Sequence, residues 1–344
     1  MKTTILTEGG SGIGLGHITR CLALYQALKD KGVDVNFIVN DRGSLKEALD
    51  GVNYQSLNWS RRGELARYLR GSDFAVVDSY IASPRLYNKI ASIVRGAVYI
   101  DDNNRIDYPR GMVVNGNIYA GELKYTKNSQ VRYFLGTKYA MLRKEFWDLP
   151  FKVMRKNVKT VMVTFGANGG KTLMRRVLRF LSEKYPSLNK KVIIGEGFKD
   201  IKSLSKLKDP GIELIFHPGA AGMRDAMMDS DVAITAGGQT LYELMRVGIP
   251  SVSIAVAENQ MRNVRCLKSR SLIEYAGWWQ GKNILRKVMA GLNKYMAYSA
   301  RSAYRKRAVK FVSGSGARIV ADLIVKDHMK NKGSERRTMS GGRS

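Results

Sequence analysis

Histidine, cysteine and acidic side chains are scarce in this chain of 344 residues. It has 3 histidines and 2 cysteines, and Cys21 and Cys266 show no spacing typical of a disulfide framework or a metal site. We expect both cysteines to be reduced and buried. Long apolar runs are also missing, since no stretch approaches the roughly 18 to 20 uncharged apolar residues that span a bilayer. The apolar run at the start is too short for a signal-peptide core, so the sequence predicts a cytoplasmic protein.

Basic residues are abundant by contrast. The 58 Lys and Arg against 29 Asp and Glu give a formal charge of +29, which suits an anionic partner such as a nucleotide, a nucleic acid or a membrane surface. Residues 275–321 contain 10 basic residues and no acidic one. This basic C-terminal third is either a solvated helical face or a peripheral membrane contact. We expect no nucleic-acid partner, because no nucleic-acid-binding motif is recognisable and aromatics are not interleaved with the basic residues near the glycine loops.

Short apolar runs alternate with amphipathic stretches, the pattern of parallel sheets covered by helices. The segment DLPFKVMRKNVK, residues 148–159, interrupts this alternation with a proline and clustered positive charge, which indicates a linker. We therefore predict an α/β fold with two Rossmann-like domains and a cleft between them. The first domain spans residues 1–148 and the second 149–328, and residues 329–344 form a disordered basic tail.

A glycine-rich loop follows the first predicted strand, in SGIGLGHITRC. Gly12, Gly14 and Gly16 permit close backbone approach, and the exposed N–H groups of the following helix attract an anion. A dinucleotide fingerprint would need a glycine where His17 or Thr19 stands, so we expect no nicotinamide or flavin cofactor.

A second glycine loop, TFGANGGKT, contains Gly166 and Asn168. Its glycines lack the four-residue spacing of a phosphate loop, which argues against a P-loop NTPase. It is either a tight turn or a loop that binds phosphate in another geometry.

A third glycine site lies in TAGGQTLYELMRVGIPSVSIAVAENQ, and its polar candidates suit a nucleotide diphosphate. Thr240 and Glu243 have the spacing of a capping box, which would account for both without a ligand. Alternatively, the carboxylate would accept hydrogen bonds from two ribose hydroxyls. The candidate nucleotide-binding residues here are Gly237, Gly238, Thr240, Glu243, Asn259 and Gln260.

Several of these motifs together resemble the PseG/SpsG family of nucleotide-sugar hydrolases in pseudaminic acid biosynthesis. They are GIGLGHITRCLAL, VVDSY, YIDDNNR, VVNGN and AGGQTLYELMRVGIP followed by ENQ, in order over about residues 1–265. The resemblance implies the GT-B fold, which MurG-type glycosyltransferases share. It also implies hydrolysis of UDP-2,4-diacetamido-2,4,6-trideoxy-β-L-altropyranose to UDP and the free sugar, which is destined for a nonulosonic acid.

The resemblance also implies roles for individual residues. UDP would lie on the C-terminal domain, while His17, Tyr80 and Asn259 would be catalytic, with no cofactor or metal. One departure from the family is that its usual GGxD-like loop reads Gly166, Ala167, Asn168, Gly169 here.

The residues themselves leave alternatives to these roles. A histidine, with an ordinary pKa of about 6.5, can act as a neutral base, so His17 would take a proton from water as the water attacks the anomeric carbon; the alternative is a capping or buried structural histidine. Tyr80 either donates a hydrogen bond to sugar or water or packs in the core. Asp78 either orients a catalytic partner or caps a turn. Asp101 and Asp102 form an acidic pair that could bind the sugar and is a weak metal signal.

A glycosyltransferase of the same fold is the competing function. In that enzyme His17 would deprotonate an acceptor hydroxyl instead of water, and the acceptor could be a lipid on an anionic membrane. Acceptor dependence separates the two functions.

Overall fold

The computed structural model describes residues 1–10, 14–42, 45, 49, 51–61, 63–150, 152–166, 171–195, 198, 204 and 206–340. The chain divides into two compact units. The first unit contains Met1–Lys144 together with the end of the chain from Gly314 on, and the second is Glu145–Ser313. Each unit contains one parallel sheet with helices in the connections between strands.

The first unit has a sheet of seven parallel strands among its described residues. They are β1 (Lys2–Gly10), β2 (Asp34–Arg42), β3 (Tyr54–Ser56), β4 (Phe74–Asp78), β5 (Gly96–Ile100), β6 (Gly111–Asn115) and β7 (Val131–Leu135). The helices between them are α1 (Gly16–Lys29), α2 (Leu65–Leu69) and α3 (Pro84–Ile93). The strand order is β3-β2-β1-β4-β5-β6-β7, so the chain reverses its direction across the sheet between β1 and β4.

The core of this unit lies around the middle strands. Every residue of β4 and of β5 is buried, as expected for parallel strands covered on both faces. Leu6 and Val77 pack in one cluster with Tyr87 of α3 and Tyr99 of β5, whose ring centroids lie 5.4 Å apart. The apolar strands therefore fix where β1 and β4 end.

The second unit has a sheet of six parallel strands in the described part of the chain. They are β8 (Thr160–Thr164), β9 (Asn189–Ile194), β10 (Ile212–Phe216), β11 (Val232–Ala236), β12 (Ser251–Ala255) and β13 (Glu274–Trp278). The helices are α4 (Lys171–Lys184), α5 (Gly219–Met228), α6 (Thr240–Val247), α7 (Met261–Ser269), α8 (Ile284–Met296) and α9 (Tyr298–Phe311). The strand order is β10-β9-β8-β11-β12-β13, and the direction reverses between β8 and β11.

The end of the chain differs from the prediction that residues 149–328 form one domain and 329–344 a disordered tail. Helix α10 (Gly316–Ser340) belongs to the first unit, where it packs against α1. Its apolar side chains Val320 and Ile324 are buried, and Lys31 pairs with Asp322 at 2.5 Å. Buried contacts continue along the helix to His328, and residues 329–340 are helical, whereas residues 341–344 lie outside the described part. Among the described residues, no helix is both long enough and apolar enough to cross a bilayer.

Candidate functional site

The reversal points of the two sheets locate the candidate sites. In an open parallel sheet, ligands bind beyond the carboxyl ends of the strands where the strand order reverses. In the first unit these are the ends of β1 and β4, which pair in parallel. His17 follows β1, and Asp78 ends β4.

His17 and Asp78 form a buried pair. The Nδ1 atom of His17 lies 2.6 Å from Oδ1 of Asp78, and the two residues are 5% and 0% exposed. His17 is the second residue of α1, so the helix start holds its ring against the end of β4. The Asp78 carboxylate thus contacts the histidine directly at the end of β4.

Arg20 joins this pair to a second carboxylate. Its Nε and Nη2 donate to the two oxygens of Asp78 at 2.5 and 2.6 Å, and its Nη1 donates to both oxygens of Asp102 at 2.7 and 2.9 Å. His17 and Arg20 are three residues apart on α1, which puts them on the same face of the helix. One guanidinium therefore holds the ends of β4 and β5 together.

Tyr80 contacts both His17 and Asp102. Its hydroxyl donates to Oδ2 of Asp102 at 2.5 Å, and its ring meets the His17 ring edge-on with centroids 4.5 Å apart. Asn117 donates to the other oxygen of Asp102 at 2.7 Å. The tyrosine is 39% exposed, so one side of this cluster reaches solvent.

Electrostatic effects in the cluster favour its ionised carboxylates. Burial raises the pKa of Asp78, but Arg20 and His17 outweigh it and lower that pKa below its usual value. The same balance of burial and Arg20 lowers the pKa of Asp102. Burial and the Asp102 charge raise the pKa of the Tyr80 hydroxyl, which therefore keeps its proton. Burial, followed by Asp78, raises the pKa of the Cys21 thiol. Cys21 and Cys266 are both buried, as predicted.

Glu8 fixes the turn that carries Tyr80. This fully buried carboxylate accepts hydrogen bonds from the Ser79 hydroxyl and the Tyr80 backbone N–H, each at 2.6 Å. The Ser79 oxygen in turn accepts the backbone N–H groups of Ile81 and Ala82. An acidic residue near the end of a buried strand was the signal that could have identified Glu8.

The structure separates the predicted acidic pair. Asp102 turns to Arg20, whereas Asp101 accepts hydrogen bonds from the hydroxyls of Tyr108 and Tyr125 at 2.9 and 2.6 Å and from the backbone N–H of Asn104 at 2.7 Å. Asp101 therefore holds the loop after β5. Within the described residues, no three His, Cys, Asp or Glu side chains gather as a metal-binding group.

The first glycine loop turns directly into α1. Gly14 has a φ of +86°, which favours glycine, and pairs with Gly10 through two backbone hydrogen bonds of 2.9 and 3.3 Å. Gly16 is the first residue of the helix. Gly12 lies outside the described residues.

In the second unit, Gln260 ties the ends of β11 and β12 together. Its Oε1 accepts the backbone N–H groups of Gly237 at 3.1 Å and Val256 at 3.0 Å. Asn263 donates to the Gly237 carbonyl at 2.9 Å and accepts from the Tyr242 hydroxyl at 2.6 Å. A network of amides thus fixes the glycine turn at this reversal point.

The remaining candidates of the second unit lie around the same turn. Thr240 is the first residue of α6 and not its cap: the cap is Gln239, without a side-chain capping bond, so the capping-box alternative does not hold. Glu243 is buried, and Asn259 is exposed in the short turn Glu258–Gln260.

Two glycines of the second unit differ in the space around them. Gly237 leaves no room for a side chain because of Val264 and Gln260, whereas Gly238 is open. Gly166 follows β8 with a φ of +72°, and Asn168 lies outside the described residues.

The basic C-terminal third is not one uniform surface. Arg301 is buried and donates to four backbone carbonyls at 2.8 to 2.9 Å, and Arg305 donates to the carbonyl of Lys152. Lys306, Arg307 and Lys310 of α9 are exposed.

No protein-family model matches the chain, but individual proteins do. A Helicobacter pylori protein named pseudaminic acid cytidylyltransferase and UDP-2,4-diacetamido-2,4,6-trideoxy-β-L-altropyranose hydrolase is 24% identical, over 76% of this chain and 46% of its own length. The spore coat polysaccharide biosynthesis protein SpsG of Bacillus subtilis is 23% identical, over 76% of this chain and 79% of its own. A Methanocaldococcus jannaschii protein is 24% identical, with 57% of its length covered. The chain thus spans about half the length of the H. pylori and M. jannaschii relatives.

Solved structures resemble the chain over nearly its whole length. MurG of Acinetobacter baumannii has a TM-score of 0.66 at 14% identity, covering 95% of this chain and 100% of its own. The calicheamicin glycosyltransferase CalG4 has a TM-score of 0.64 at 13% identity, covering 96% and 98%. The chain has the GT-B fold. A further GT-B relative in structure, Arabidopsis thaliana UGT89C1 complexed with UDP, has a TM-score of 0.65 at 13% identity, covering 94% and 99%. The prediction of two Rossmann-like α/β domains with the GT-B fold is confirmed.

Proposed function

We propose that this GT-B chain hydrolyses a UDP-linked diacetamido-trideoxyhexose at the anomeric carbon, with His17 as the general base. The observation that carries the proposal is the buried contact of 2.6 Å between Nδ1 of His17 and Asp78. The similarity to the H. pylori protein, whose name includes such a hydrolase, supports the choice of substrate.

The His17 ring is oriented for proton transfer through its other nitrogen. In this proposal the Nδ1–H of His17 donates a hydrogen bond to the Asp78 carboxylate, which leaves the lone pair on Nε2. In the proposed reaction Nε2 takes a proton from water while the water oxygen attacks the anomeric carbon. The bond from that carbon to the diphosphate oxygen breaks, and UDP leaves with the electron pair. The ionised Asp78 stabilises the imidazolium that forms.

The second unit supplies the nucleotide site in this proposal. The backbone N–H of Gly237 donates to Gln260, so the proposed diphosphate contacts are the N–H groups of Gly238 and Thr240 at the start of α6. Glu243 is the proposed partner of the ribose hydroxyls, and Asn259 the proposed contact to the substrate near the leaving group. Gly14 and Gly16 give the sugar close access to His17.

A glycosyltransferase is the second candidate. The specific observation in its favour is the structural match to the calicheamicin glycosyltransferase over 96% of this chain. The same His17–Asp78 pair would then deprotonate an acceptor hydroxyl.

Acceptor dependence tests the proposal. The purified protein is incubated with UDP-2,4-diacetamido-2,4,6-trideoxy-β-L-altropyranose and EDTA, with no acceptor, and UDP release is followed. A hydrolase gives catalytic release with one free sugar per UDP. UDP binding with no more than trace release would favour the transferase or another sugar.

We also propose that the exposed face of α9 contacts anionic membranes. Lys306, Arg307 and Lys310 lie on it beside Phe311, which is 37% exposed. Each cation near an anionic lipid surface contributes about 1 kcal/mol, and added salt screens this attraction. Co-sedimentation with phosphatidylglycerol vesicles, lost in high salt and in the double variant Lys306→Glu, Lys310→Glu, is the expected result. Equal sedimentation of wild type and variant would contradict it.

A further inference from the structure

The hydrogen bonding around His17 poses a problem of proton placement. Its Nδ1 lies 2.6 Å from Oδ1 of Asp78 but also 3.1 Å from Nη2 of Arg20, which is a donor. A proton on Nδ1 suits the aspartate, whereas a bare Nδ1 would suit the arginine. In the first arrangement the free lone pair is on Nε2, and in the second it is on Nδ1.

The distances decide between them. Nη2 of Arg20 donates to Oδ1 of Asp78 at 2.6 Å, a short charge-assisted bond, and its 3.1 Å approach to the ring is the longer of its two contacts. Two acceptors cannot sit 2.6 Å apart without a proton between them. Because Arg20 holds Asp78 as a carboxylate, that proton belongs to Nδ1.

Without Arg20, Asp78 would not be held in its ionised form. It is fully buried, and burial alone favours its neutral form. A protonated Asp78 would donate to Nδ1, and the ring proton would move to Nε2, where it would block the proposed base. Asp102, linked to the same guanidinium, would lose its cation as well.

We infer that Arg20 is a positioning residue that selects the Nδ1–H tautomer of His17 by clamping Asp78 and Asp102 with one guanidinium. The kinetic consequence rests on the proposed function, whereas the tautomer itself does not. Lysine could not replace it, since a single ammonium cannot present Nε and Nη2 to one carboxylate and Nη1 to the other.

The scarcity of histidine makes the tautomer measurable. The chain has 3 histidines, so ¹⁵N-histidine labelling gives at most three ring systems, and His17→Asn identifies that of His17 by its loss. Long-range ¹H–¹⁵N spectra at a pH where the ring is neutral distinguish Nδ1–H from Nε2–H. We expect Nδ1–H in the wild type, and Nε2–H or a mixture in Arg20→Met. No substrate is needed.

The same variants give the kinetic prediction. Arg20→Met should lower kcat on the order of 10²- to 10³-fold. Arg20→Lys keeps the positive charge and replaces the methionine variant if that variant does not fold. It should lower kcat at least about 10-fold. KM should change by less than about threefold in both. Arg110 is a matched control, because it holds three backbone carbonyls of the same unit away from this cluster. Arg110→Met should lower the melting temperature and leave kcat within about twofold.

The outcomes separate the inference from the proposed function. An Nε2–H tautomer in the wild type, or an unchanged Nδ1–H tautomer in both Arg20 variants, would overturn the inference. If the tautomer changes in the variants but the wild type releases no UDP, the inference about Arg20 holds and the proposed hydrolase function is wrong.

Discussion

The two units place different chemistry at the same position of the same kind of sheet. In the first unit, the reversal point holds buried charges, with Asp78 at 0% exposure contacting His17 and Arg20. In the second, it holds glycines and amides, with Gln260 accepting two backbone N–H groups. Fixed charges orient a proton donor or acceptor, whereas the helix start that follows a glycine turn attracts an anion. The difference fits the division of labour that we propose.

The largest expected effect comes from removing the base. His17→Asn should lower acceptor-free UDP release about 10³- to 10⁴-fold, because asparagine keeps polarity but cannot take a proton. UDP affinity should stay within about threefold of wild type, since the nucleotide site is assigned to the other unit. The measurement is UDP release together with calorimetric UDP titration. A variant that is folded and turns over at the wild-type rate would remove His17 from the mechanism.

Replacing the partner of His17 should have the next largest effect. Asp78→Asn keeps the shape of the side chain, but its amide can donate to Nδ1 and so favour the wrong tautomer. We expect kcat to fall about 10²- to 10³-fold with little change in KM. A fall in kcat/KM caused by KM alone would show that Asp78 acts in substrate binding instead.

The glycine turn of the second unit should respond to bulk and not to charge. A Cβ on Gly237 would lie 2.5 Å from Cγ1 of Val264 and 3.0 Å from Cβ of Gln260, whereas one on Gly238 would meet nothing nearer than Nε2 of Gln260 at 3.9 Å. Gly237→Ala should lower the free energy of unfolding by about 1–3 kcal/mol and weaken UDP binding about 10-fold. Gly238→Ala is the matched control for stability, with an expected change within about 0.5 kcal/mol in urea unfolding. Equal losses would contradict the packing argument.

The smallest effect concerns acid stability, and it distinguishes the units again. The folded pKa of Asp78 is lowered below its unfolded value, so the unfolded chain takes up this proton first and the stabilisation is lost as pH falls through the folded pKa. The gap in unfolding free energy between wild type and Asp78→Asn should therefore shrink by on the order of 2 kcal/mol from pH 7 to pH 2.5. The gap for Gln260→Ala, which removes no titrating group, should stay constant. Urea unfolding at both pH values measures each gap, and a constant gap for Asp78→Asn would contradict the account.

Much of the fold follows from the sequence, because strand alternation and glycine turns are local signals. The same signals bring His17, Tyr80 and Asp102 together, since the carboxyl ends of neighbouring parallel strands meet at one edge. They could not separate Asp101 from Asp102, because adjacent residues at a strand end turn to different sides and the partners of each lie in distant loops.

The contacts of Arg20 and the packing of α10 could not be predicted from local sequence patterns. A basic residue on an amphipathic helix is normally solvated, and the spacing of three from His17 was the available sign that Arg20 shares its face. The apolar stripe containing Val320 and Ile324 requires a core but does not specify which of two similar sheets provides it. Tertiary packing determines both the partners of Arg20 and the sheet against which α10 packs.

Hydrolysis in H₂¹⁸O tests most directly whether water attacks the anomeric carbon at the His17 site. The wild type is incubated with the UDP-sugar and no acceptor. The reaction is stopped before the anomeric oxygen of the free sugar exchanges with solvent, and the masses of both products are measured by mass spectrometry. The account predicts one ¹⁸O in each free sugar and none in UDP, with both products lost in His17→Asn. Label in the UDP phosphate, or labelled sugar formed at an undiminished rate by His17→Asn, would contradict it.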